Sequence, residues 1–127
     1  MSATIHRPEG SLHLDRFTAQ EHLGIDETTY AAILASAMRE AARRFIMARD
    51  ALEQGQMGEL SRHAHTMKST AKSIGAFPCS ELARELELSA RNNDAARAAE
   101  LLQNLHQEYL EVRDEAEAAG FRLDLNI

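Results

Sequence analysis

The chain has 127 residues, 44% hydrophobic but only 5% aromatic, no tryptophan and a net charge of −6. That is one domain with enough apolar material for a core without staples, and its acidic balance excludes general nucleic-acid binding. One cysteine, Cys79, excludes an internal disulfide and fits a reducing compartment.

Residues 1–17 read as an irregular arm, ordered only in part, with Pro8, Gly10 and no sustained period. Thr18-Ala19-Gln20-Glu21 has capping-box spacing and starts a short helix that stops at Gly24. Asp26 then caps a long helix whose apolar positions are Tyr30, Ile33, Leu34, Ala37, Ala41, Phe45, Ala48 and Leu52. Gly55 ends it. The next helix runs from about Gly58 to Ile74. Its seam of Leu60, Ala64, Met67, Ala71 and Ile74 is of bundle type, and Gly75 stops it. Pro78 fits the first turn of a further helix that buries Leu82, Ala83, Leu86 and Ala90. Asn92-Asn93-Asp94 makes a turn and a cap. The last helix buries Ala98, Leu101, Leu102, Leu105, Tyr109, Val112 and Ala116 and stops before Gly120.

These helices and short connections predict an all-α fold: an antiparallel up-and-down four-helix bundle with a short extra N-terminal helix. The bundle spans 18–119, and a tail over 120–127, starting at Phe121, packs along it. No apolar run approaches the roughly 20 residues of a membrane span, and the N-terminus lacks the apolar centre of a secretion signal. The expectation is a cytoplasmic monomer with no membrane attachment.

The most informative residue is His65. The only two lysines, Lys68 and Lys72, follow it by three and seven positions, on the same helix face. With the seam facing the core, His65 lies about 140° away on the solvent side, whereas His63 lies only about 60° away, on the flank of the core. His65 is therefore presented to a partner, and His63 is assigned to packing. Neighbouring cations disfavour the imidazolium and keep a lone pair free for attack. Once a phosphoryl group arrives, the same cations meet its oxygens. Ser61 and Ser69, one turn away on either side, leave the ring accessible. The segment is locally basic within an acidic protein and suits a partner with an acidic pocket.

Blander readings stand beside this one. A His–Lys–Lys helix face is more often solvated than functional. His63-Ala64-His65 looks like a chelate, but residues two apart on a helix point about 200° apart and cannot share an ion. His6, His13 and His22 fall in the poorly patterned N-terminal part and read as solvated. Cys79 reads as a packing residue, and Glu108, Glu111, Asp114, Glu115 and Glu117 as the wet face of the last helix.

The segment resembles the histidine-containing phosphotransfer (HPt) family. The matching residues are His65, Met67 in place of a leucine, Lys68, Ile74-Gly75-Ala76, Leu82 and Leu86-Glu87. Ser69 departs from the family's usual glycine. The resemblance implies that His65 accepts a phosphoryl group through Nε2 from a response-regulator receiver aspartate and passes it to another receiver. Lys68 would orient the phosphate and Lys72 would add field. Receiver domains, a hybrid histidine kinase or both are the implied partners. The implied carrier has no intrinsic cofactor, and the magnesium ion is expected on the receiver. No Gly-rich phosphate loop is present, so the reading is a carrier rather than a kinase. The alternative is a receiver-binding or scaffold bundle without phosphotransfer.

Overall fold

The computed structural model describes residues 13–123, and within them every regular element is helical. The helices are α1 (Arg16–Leu23), α2 (Glu27–Glu53), α3 (Met57–Ile74), α4 (Phe77–Arg91) and α5 (Ala95–Ala118). The helices α2 to α5 form the expected bundle. In the sequence His6, Leu125 and Ile127 lie outside the described residues.

Aspartates cap the starts of α1, α2 and α5. Asp26 accepts from the Thr29 N–H at 2.8 Å, and Asp94 accepts from the Arg97 N–H at 3.1 Å. The N-terminal helix differs from expectation. It begins at Arg16, two residues before Thr18, because Asp15 is the cap. The Asp15 carboxylate accepts both the Thr18 backbone N–H at 3.1 Å and its hydroxyl at 2.8 Å.

The core is built from leucines over a floor of alanines. Leu34, Leu60, Leu86, Leu101 and Leu105 are fully buried beside Ala41, Ala48, Ala64, Ala71, Ala83 and Ala98. Small side chains let the helices approach closely, and the leucines fill the space between layers. Every predicted seam residue of α3 and every predicted apolar residue of α5 is buried. On α2 and α4, Ile33, Phe45, Leu52 and Leu82 are only partly buried at the margin, while Met38 and Ala51 take core positions. Tyr30 is buried, and its hydroxyl donates to the Ile74 carbonyl at 2.7 Å, tying the start of α2 to the end of α3.

Of the arm expected over residues 1–17, Arg16 and Phe17 already belong to α1, and residues 13–15 are held against the bundle. Leu14 is buried, and the Asp15 N–H donates to the Gly75 carbonyl at 2.8 Å. His13 is not a solvated histidine either. Its backbone N–H donates to Glu115 at 3.1 Å, and its Nδ1 lies 2.5 Å from the Glu108 carboxylate. The acidic face of α5 therefore anchors the N-terminal segment instead of only meeting water. Gly75 is fixed by the same junction. It has φ +86°, and a Cβ there would collide with the Asp15 carbonyl. At the other end of the chain, Phe121 and Leu123 are buried, and the Phe121 ring meets Tyr30 edge-on at 5.7 Å.

Candidate functional site

The two histidines of α3 turn toward different neighbours. His63 is buried, and its Nδ1 lies 3.0 Å from Arg44 Nη1 of α2. A guanidinium only donates, so His63 accepts there and is neutral. Burial first, then the Arg44 charge, holds its imidazole below the ordinary value. His65 turns instead toward α4, where its Nδ1 lies 3.0 Å from Glu87 Oε2. The pair thus cannot chelate one ion, as the helix angles require.

His65 remains open, with 59% of its side chain exposed. The carboxylate of Glu87 only accepts, so in the neutral ring Nδ1 carries the proton and Nε2 the lone pair. Glu87 itself is 5% exposed. Its Oε1 accepts from Lys68 Nζ at 2.9 Å, and its Oε2 from Arg91 Nη2 at 2.9 Å. Burial opposes its charge, but hydrogen bonds from Lys68 and His65 outweigh that cost and hold the carboxyl below its ordinary value. Glu87 is therefore a fixed anion beneath the histidine.

Lys68 is accordingly not a free cation beside the ring. It is tethered to Glu87, two-thirds shielded from solvent, and its backbone carbonyl accepts from the Ser80 hydroxyl at 3.0 Å. That last bond pins α4 to α3 where the site needs them close. Lys72 is exposed, about 10 Å along the helix from His65 and on the same face. It makes no ion pair with any described residue. Ser69 is exposed and Ser61 partly so, leaving the ring unwalled. Gly75 lies beyond the end of the helix and acts on the fold, through its junction with Asp15, rather than on the histidine.

Sequence reasoning missed Glu87 as a site residue. The signal was its place one step past the buried Leu86, on the stripe of Ala83 and Ala90. An acid on the edge of a buried stripe needs a cation, and Lys68 is one of only two lysines. Cys79 is fully buried, and that burial pushes its thiol well up, as suits a packing residue.

The site is thus an exposed imidazole bonded to a buried carboxylate that also holds Lys68 and Arg91. The profile of the Hpt domain matches residues 32–117, more than half of the chain. The fold is similar to the crystal structure of histidine-containing phosphotransfer protein B (HptB) from Pseudomonas aeruginosa PAO1, with a TM-score of 0.79 and 25% identity. That similarity covers 87% of this chain and 96% of the other. None of the curated proteins matches the chain. The chain belongs to the Hpt domain family, whose members carry phosphoryl groups in phosphorelays and are not kinases. Among the described residues no helix is long and apolar enough to cross a membrane.

Proposed function

We propose that this protein takes a phosphoryl group onto Nε2 of His65 from the aspartate of one receiver domain and hands it to another. The observation that carries the reading is the hydrogen bond from His65 Nδ1 to the buried Glu87. It leaves the Nε2 lone pair pointing at a partner. In the forward step Nε2 attacks phosphorus, the P–N bond forms and the P–O bond to the aspartate breaks, releasing a carboxylate. No proton needs to leave Nε2, because it carried none. The phosphorylated ring gains positive charge, which Glu87 offsets across the Nδ1–H bond. The transition state is loose, so its equatorial charge needs positioned cations rather than covalent help. Lys68 and Arg91 are held on Glu87, the ring's own partner, and Lys72 extends the cationic face. The receiver supplies the magnesium ion that shields the phosphoryl oxygens. Receivers act in the cytoplasm, and we place this protein there with them.

Labelling tests the proposal. A receiver domain phosphorylated with a radioactive donor is mixed with the full chain. Wild type acquires acid-labile label and His65→Gln acquires none. Labelling of His65→Gln equal to wild type, or no labelling of wild type by any receiver encoded alongside it, would overturn the assignment.

A further inference from the structure

The face of α2 turned away from the core carries a pattern that phosphotransfer does not use. Ile46 is 54% exposed and Met47 39%, on the middle of the longest helix. Arg39 lies seven residues before Ile46 and Glu53 seven after. Seven residues correspond to about 10.5 Å of rise and bring the side chains back to within about 20° of one stripe. A cation and an anion therefore stand at equal distances on either side of an exposed isoleucine. Inside that pair, Arg43 lies three residues before Ile46 and Asp50 four after, both turned roughly 40–60° to the same flank, and Arg43 also pairs with Glu40 of its own helix. About half of the exposed charges among the described residues have ion-pair partners, such as Arg62 with Glu59 and Arg97 with Glu100. Arg39, Asp50 and Glu53 have none among the described residues.

We infer that α2 pairs antiparallel with α2 of a second copy of this chain, about a two-fold axis at Ile46. A two-fold interface must be self-complementary, since each patch meets itself reversed. Reversal places Arg39 against Glu53 of the second copy and Arg43 against Asp50, each pair occurring twice. Ile46 meets Ile46. Arg49 lies on the opposite flank, about 60° from Ile46, and faces Ala42 of the second copy rather than another cation. No like charges meet across the axis. A parallel pairing would instead stack Arg39 on Arg39 and Glu53 on Glu53.

The neighbouring surface extends the contact. On the Arg49 flank, α2 and α5 leave an apolar cavity of about 490 Å³ lined by Met38, Phe45, Ile46, Leu102 and Leu110. In the two-fold pair the two cavities open on the same flank and join into one apolar cleft. His65 stays clear of it. That histidine is on the edge of α3 facing α4, so each copy keeps its own ring open to a receiver. The pairing departs from the monomer expected from sequence and does not depend on the phosphotransfer reading.

Sedimentation equilibrium of the full chain over a wide concentration range tests it. Wild type should approach twice 14.1 kDa. Ile46→Glu should weaken the pairing roughly hundredfold, with no loss of fold because the side chain is exposed. Arg39→Glu and Glu53→Arg should each weaken it roughly tenfold, since each breaks two symmetric ion pairs and opposes like charges. The double variant Arg39→Glu/Glu53→Arg restores opposite signs and should return to about the wild-type affinity. Labelling of His65 should be the same in Ile46→Glu as in wild type. A wild type that stays monomeric at every concentration, a dimer indifferent to Ile46→Glu, or a double variant no better than its parents overturns the inference. So does capture of a different protein on the Ile46 face of a monomer. Loss of His65 labelling with the dimer intact would overturn only the phosphotransfer reading.

Discussion

Replacing Glu87 with glutamine is the sharpest perturbation of the site, because it keeps the shape and removes the charge. In the wild type one buried carboxylate accepts from His65, Lys68 and Arg91. A hydrogen bond to a charged group contributes about 1.5–3 kcal/mol, which is roughly ten- to hundredfold in an equilibrium. The His65 side chain is 59% exposed, so water competes and the lower end applies. The glutamine amide can also donate, and so no longer dictates which ring nitrogen holds the proton. The Nδ1–H tautomer should lose about tenfold of its preference, and phosphoryl uptake should slow by about the same factor. The ¹⁵N shifts of the His65 ring read the tautomer directly, and rapid quench with a phosphorylated receiver reads the rate. A thermal melt separates a stability effect from a positioning effect. The sign of the pH dependence is also fixed. Glu87 is held below its ordinary 4.5, so its stabilisation is complete above that pH and fades as pH falls through the lower folded value. The glutamine variant should lack that acid limb. An unchanged tautomer together with an unchanged uptake rate would refute the reasoning.

Gly75→Ala should destabilise by about 2–4 kcal/mol, since it combines a positive φ with a collision against the Asp15 backbone, and a denaturant titration measures it. Tyr30→Phe should cost about 1–2 kcal/mol by leaving the buried Ile74 carbonyl without its donor, read in the same way. The Glu108 hydrogen bond holds His13 above its ordinary 6.5, so its contribution is full below that pH and disappears as pH rises through the folded value. His13→Gln should therefore flatten the stability profile on the alkaline side of 6.5, a window that melts at stepped pH resolve. Lys72→Ala should slow phosphoryl uptake by a few-fold, as befits an exposed cation, while leaving the melt within about 0.5 kcal/mol of wild type.

What could be read from the sequence was what periodicity and capping control. The seams of α3 and α5 repeat at three and four residues, and a core of small and branched side chains accepts only one registration of that pattern. His65 was legible for the same reason, since its angle from the seam follows from helix geometry alone. Contacts between elements distant in sequence were not legible. Glu87 is 22 residues from His65. Its role depends on how far α4 slides along α3, which the Ser80 bond to the Lys68 carbonyl helps to set. His13 is 95 residues from Glu108, and nothing local in either segment announces the other. The start of α1 was misplaced for a local reason, because Asp15 is a better acceptor than Thr18 and captured it as a partner.

Under the proposed function, the buried anion beneath His65 has a use. Without it, Lys68 and Arg91 beside an unphosphorylated histidine would repel each other and attract stray phosphate. Glu87 occupies the place of negative charge in the resting protein and holds Lys68 and Arg91 in reach. An arriving phosphoryl group brings about two negative charges and competes with that carboxylate for the same donors. Since the donors are already gathered, little ordering entropy is lost on transfer, and little is regained on release. A carrier must both load and unload, so near-balance between the two states serves it better than tight retention. Lys72, without an ion-pair partner among the described residues, lies outside this exchange. It responds to the incoming partner's charge at longer range, where salt should weaken its effect more than that of Lys68.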